Sequence, residues 1–242
     1  MRKIIIICLS ILSPLLLFSQ SHNEIKIKTA IKILKIHESS LNRLSPFDEG
    51  GMEKIDRLNR KVGEKLLEIF KMPEIINFPK DSIPFFTGQS DNRNFAVFSW
   101  IENLGGSFKM AINYFYWKNA KGQPMMKEMD MEVEVASYGN VIELKDKNGE
   151  TLYFLLGGGI SCNTCRFEKV LLLRGGETDL EEIFSFQIDY RFNHDIPGFS
   201  FDQESQILNY EFIEEECEDD EGENCWVRGK FKFNGNTFEE IE

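Results

Sequence analysis

FAVFSW, residues 95–100, has no polar face. In a strand, successive side chains point to opposite sides. Phe95, Val97 and Ser99 therefore share one face, and Ala96, Phe98 and Trp100 share the other. Both faces are partly apolar, so at least one of them belongs to a core. The same grammar recurs in INYFYW (112–117), TLYFLL (151–156), KVLLL (169–173), IFSFQIDY (183–190), ILNYEF (207–212) and WVRGKFKF (226–233). These runs are rich in aromatic and β-branched residues and are separated by turn residues, which is the signature of antiparallel hairpins.

Three of the turns echo one another: DKNGETLYF, LRGGETDLEEI and KFNGNTFEEI each run strand, glycine, polar residue, threonine, new strand. Gly122, Gly149 and Gly176 are spaced 27 apart, and Gly235 follows after 59. A closed propeller needs at least about four blades of about 40 residues, more than this part of the chain supplies. The expected fold is α+β and mainly antiparallel β. It is a meander of hairpins forming a sandwich, a bent sheet or an incomplete barrel, with a helical N-terminal region.

That helical region occupies residues 22–80, packed on a β-rich domain over 81–242. Met52, Ile55, Leu58, Val62, Leu66 and Ile69 recur at steps of three and four, one helix face that begins near Met52 and ends at Pro73. Residues 24–40 mix alternation (Ile25, Ile27) with helical spacing (Ile27, Ile31, Leu34) and are read as helix.

The first residues set the compartment. Arg2 and Lys3 precede the apolar run Ile4 to Phe18, and Ser19-Gln20-Ser21 follows with small residues where a signal peptidase reads. The run is short for a membrane span, which takes about 20 apolar residues. Residues 1–21 are therefore expected to be a signal peptide, leaving a mature chain without a membrane span in the periplasm or outside the cell. The chain's 42% hydrophobic content and 21 Phe supply a sizeable core. Its net charge of −12 becomes more negative once Arg2 and Lys3 leave. Nucleic acid, bound through basic patches, is not an expected partner; cations and basic surfaces suit the charge better.

The succession DSIPFFTGQSDNRNFAVFSW, a glycine-containing gap, NYFYWKN and ETLYFLLGGG resembles secreted bacterial β-rich proteins that carry no assigned function. The resemblance covers residues 81 to 213. It implies an exported β-rich domain and brings no catalytic residues with it.

Loss of Cys8 with the signal peptide leaves Cys162, Cys165, Cys217 and Cys225. An even count in an exported chain points to disulfides. In CNTC (162–165) a redox pair would want a helix N-terminus, but GGG precedes it and the strand RFEKVLLL follows. The gap between Cys217 and Cys225 is wider than the two to four residues usual between paired zinc ligands. Cys162–Cys165 and Cys217–Cys225 are the preferred pairs, with cross-linked alternatives open.

EEECEDDEGENC (214–225) places eight carboxylates around two cysteines. Such crowding is relieved by water or by a cation, and calcium accepts six to eight oxygen ligands. An EF-hand is excluded, because Gly222 as the sixth-position glycine puts Cys217 first and Arg228 twelfth. An irregular calcium site on Asp219, Asp220, Glu221 and Glu223 competes with a solvated hairpin tip and an acidic partner surface. No other cofactor is expected.

Hydrolase signatures are sparse. GFSFD (198–202) lacks the second glycine of a nucleophile elbow, HESSL (37–41) lacks the second zincin histidine, and His194 beside Asp195 reads as a loop residue. GGG (157–159) has no Lys-Ser/Thr after it and is read as a strand end or bulge rather than a phosphate loop. Trp100, Trp117 and Trp226 are the aromatics whose exposure would mark a stacking platform. The expected function is a non-catalytic binding or structural module of the envelope or exterior, for an unknown ligand or protein partner. The alternative is a secreted hydrolase with dispersed carboxylates acting on a glycan or ester, whose acids leave no spacing signature.

Overall fold

The computed structural model describes residues 2–72, 74–75, 78–79, 82–101, 111–128, 136–161, 165–191, 198–213 and 226–242, with backbone alone for 2–21 and 191. Two helices precede twelve strands among these residues. Helix α1 (Arg2–Leu41) buries Ile27, Ala30, Ile31, Leu34 and Leu41, which share one face, so helical spacing prevails over the alternation at 24–27. Ile25 is 63% exposed. Helix α2 (Gly51–Phe70) buries Ile55, Val62, Leu66, Ile69 and Phe70, whereas Met52 turns outward. Gly50 lies ahead of α2 at φ 66°, a left-handed conformation that glycine adopts without strain.

The strands form three four-stranded antiparallel sheets, each made of consecutive strands in meander order and none closed into a barrel. The first holds β1 (Phe86–Gln89), β2 (Phe95–Ile101), β3 (Ala111–Lys118) and β4 (Pro124–Glu128). The middle sheet holds β5 (Ser137–Lys145), β6 (Thr151–Ile160), β7 (Cys165–Gly175) and β8 (Leu180–Arg191). The last holds β9 (Gly198–Asp202), β10 (Ile207–Ile213), β11 (Trp226–Phe233) and β12 (Phe238–Ile241). Gly149 and Gly235 close the β5–β6 and β11–β12 hairpins at φ 81° and 87°, the geometry their turn motifs require.

Three cores separate four layers. Ala96, Phe98, Trp100, Tyr114 and Tyr116 pack against the helices, with Phe70 edge-on to Phe98 at 4.2 Å. The opposite face of the first sheet (Phe95, Val97, Phe115, Trp117) meets Tyr153, Leu155, Phe167 and Leu171 of the middle sheet. The other face of the middle sheet (Leu152, Phe154, Val170, Leu172) meets Leu208, Phe233 and Phe238 of the last. FAVFSW is thus buried on both faces, because helices cover one side and a second sheet covers the other.

Side-chain hydrogen bonds lock the layers in register. Trp117 Nε1 donates to the Gly176 carbonyl at 2.9 Å, Asn113 Nδ2 to the Ala136 carbonyl at 2.9 Å, and Trp100 Nε1 to Asn59 Oδ1 at 3.3 Å. Trp100 and Trp117 are core residues and offer no stacking platform. Half-buried Trp226 has the Arg228 guanidinium 5.2 Å from its ring centre. Gly157 to Gly159 do not end β6: they pair in register with Lys169 to Phe167, and the register shift falls in β5 between Tyr138 and Asn140. A Cβ at Gly159 would lie 2.4 Å from the Phe167 ring, so these glycines make room for packed aromatics. No described helix is long and apolar enough to cross a membrane.

Phe95 is fully buried and stacks on Tyr153 at 4.4 Å across the first and middle sheets. Phe95→Ala should destabilise the fold by about 3–5 kcal/mol, seen as a lower urea midpoint at unchanged slope. Burial alone pushes the Tyr116 phenol up to about 12, and burial with nearby Glu143 does the same for Tyr153. A phenol raised above its free value near 10 favours the folded state fully below that pH, and the contribution is lost as pH rises through the folded value. Stability should therefore fall between about pH 10 and 12, and phenolate absorbance should lag behind that of the unfolded chain over the same range.

Candidate functional site

The last sheet is the one sheet whose outer face is covered by no other described layer. Its inward positions are Phe199 and Phe201 on β9, Leu208 and Tyr210 on β10, Gly229, Phe231 and Phe233 on β11, and Phe238 and Glu240 on β12, as the pairing register sets them. Several of these aromatics are only half-buried. Around them a cavity of about 750 Å³ is lined by Glu168 of β7, by Phe199, Tyr210, Gly229 and Glu240, and by outward-facing residues of the last sheet such as Arg228 and Lys230.

Glu168 shares a β7 face with Val170 and Leu172, so pleating points a carboxylate toward the last sheet. It accepts the Phe199 backbone N–H at 3.0 Å, and the Tyr190 hydroxyl donates to it at 3.5 Å. Burial raises its carboxyl above the usual range, although both hydrogen bonds pull the other way. Tyr190 is raised in turn by burial and by the adjacent Glu168, so it remains the donor. A Cβ at Gly198 would stand 3.0 Å from Glu168 Oε2; glycine there lets the carboxylate reach the β9 backbone.

A second device lies across the sheet. Tyr210 pairs with Gly229, and a Cβ on Gly229 would stand 2.2 Å from the Tyr210 hydroxyl. Because that position is bare, the phenol crosses β11 and donates to Glu240 Oε1 on β12 at 3.1 Å. Burial, then the bond to Glu240, raises the Tyr210 phenol. Each tyrosine thus holds one carboxylate in place. Outside this pair, Arg228 Nε donates to Glu211 at 3.1 Å and Lys230 lines the rim.

Chemically, the cleft presents acceptors on Glu168 and Glu240 beside the Phe199 ring. Its described lining contains no histidine or cysteine. Among the described residues, no cluster of three or more His, Cys, Asp or Glu is placed to hold a metal. The residues singled out from sequence fall elsewhere. Cys162, Cys217, Cys225, Asp219, Asp220, Glu221, Glu223 and His194 lie outside the described residues, and Cys165 opens β7 opposite Arg191. His37, on α1, has its imidazole pKa lowered by burial and by Lys61 and Lys65.

Glu168, Tyr210, Gly229 and Glu240 carry no motif. The available signals were a lone acid within a strand apolar on both faces, and a glycine inside WVRGKFKF. Compared with family models, with curated proteins and with solved structures, the chain matches none.

Gly229→Ala should cost about 1–3 kcal/mol through overpacking and drive the Tyr210 hydroxyl off Glu240. The companion Tyr210→Phe keeps the ring, frees the carboxylate and should cost about 1 kcal/mol. Urea midpoints of the two variants rank the steric effect above the hydrogen bond.

Proposed function

We propose that this chain is an exported, non-catalytic binding module of the cell envelope or exterior. Its ligand is a small molecule rich in hydroxyl or amine donors, such as a short oligosaccharide, seated in the cleft that Glu168 shares with the last sheet. The observation that carries the reading is the pair of tyrosine-held carboxylates, Glu168 and Glu240, facing one cleft with an aromatic side chain beside them. Fixed acceptors select donors, and pre-set side chains lose little entropy on binding. The signal peptide expected over residues 1–21 belongs to the same reading. Export in turn favours disulfides at Cys162, Cys165, Cys217 and Cys225. Calcium at Asp219, Asp220, Glu221 and Glu223 is a separate proposal, for calorimetry to decide.

Calorimetric titration with soluble chito- and cello-oligosaccharides tests the cleft. Binding should weaken by about tenfold or more in Glu168→Gln or Glu240→Gln, in line with loss of a charge-assisted hydrogen bond. Unchanged affinity in both variants, or no heat with any sugar, would reject it. A second reading rests on Glu168 and Glu240 lining one cavity, with the Glu168 carboxyl raised by burial, as in an acid–base pair. Release of reducing ends that both variants abolish would replace the binding module with a glycan hydrolase.

A further inference from the structure

We propose that the outward face of α1 is a docking surface for an anionic lipid bilayer. Residues 22–80 carry 12 Lys+Arg against 9 Asp+Glu, whereas residues 81–242 carry 14 against 31. The net acidity thus belongs to residues 81–242, and residues 22–80 are basic. Within α1, the exposed positions between Glu24 and Ile36 include Lys26, Lys28, Lys32 and Lys35, with Glu24 the sole carboxylate.

Two apolar residues complete the face. Ile25 and Ile36 are each 63% exposed. Eleven residues make about three helical turns, so both lie on the same side of α1, with Lys28 and Lys32 within about 60° of the line joining them. Exposed isoleucines between lysines suit a headgroup layer, which receives apolar side chains and attracts cations. They gain nothing from a nucleic-acid backbone.

Beside this stripe, a cavity of about 810 Å³ has Lys28, Lys32 and Lys35 on its α1 side and Phe78 and Pro79 opposite. Ile31, buried against the helical core, contributes to its floor. Of the two carboxylates at this groove, Glu24 accepts Lys28 Nζ at 2.6 Å, and Glu74 accepts Asn23 Nδ2 on Oε1 at 3.2 Å while its buried Oε2 has no partner among the described residues. Among the described residues, Lys32 and Lys35 pair with no carboxylate and stand ready for a lipid phosphate.

The test is co-sedimentation of the exported chain with phosphatidylcholine vesicles, with and without phosphatidylglycerol. Binding should require the anionic lipid and fall as salt rises. Lys28→Gln, Lys32→Gln and Lys35→Gln together should weaken it more than about tenfold. Ile25→Ser with Ile36→Ser should weaken it with charge unchanged. All five positions are exposed, so circular dichroism should be preserved. No binding to the mixed vesicles, equal binding to both kinds, or indifference to either set of substitutions would overturn the proposal. So would equally tight binding to duplex DNA that ignores the isoleucines.

Discussion

Two of the three sheets are buried on both faces, and most of the architecture follows from that constraint. A strand covered on both sides has no solvent row on which to place polar side chains. Burying a polar group unpaired there costs several kcal/mol, so most find a partner inside, although the Tyr116 hydroxyl and Asn113 Oδ1 have none among the described residues. Ser99 donates to Ser137 across the sheets at 3.0 Å, and the buried Asn113, Trp100 and Trp117 each donate to a fixed acceptor. These bonds contribute little net energy individually. Their larger effect is on specificity, since a slip of one residue would strand every one of them.

The last sheet escapes this constraint, and that is why the cleft lies there. Its outer strands are short: β9 has five residues and β12 four. They face β7 and β8, which have eleven and twelve. A short sheet cannot cover a long one from end to end, so part of the middle sheet's face is left incompletely covered. Glu168 and Tyr190 sit on that part of β7 and β8, where partial exposure lowers the cost of a carboxylate that the closed cores would not accommodate. The half-buried phenylalanines between these sheets are the apolar counterpart of the same mismatch.

This explains what the sequence could disclose. Two-sided burial was written in FAVFSW, and α2 in the three- and four-residue spacing from Ile55 to Ile69, because both are local periodicities. The paired turn motifs likewise announced hairpins. What covers each face of β2 is not local, and neither is the approach of β12 to β10, which brings Glu240 to Tyr210 across an intervening strand. Glu168 reads as an ordinary surface acid until the neighbours of β7 are known. The acidic run at 214–225 attracted attention through composition alone, whereas the cleft was built from residues of ordinary composition and from a glycine. Met52 shows the reverse error: its spacing fits the buried stripe, yet it stands at the first turn of α2, where the helix has not come under the sheet.

Stacking in sequence order also separates the two proposed surfaces. The helical layer is at one end of the pile and the cleft near the other, with the first and middle sheets between them. Packed sheets lie about 10 Å apart, and charges separated by more than about 8 Å in physiological salt are largely screened. The basic face of α1 and the carboxylates of the cleft can therefore carry opposite charge without neutralising each other. Charge segregation along the sequence thus gives the net −12 a distribution that composition alone does not convey.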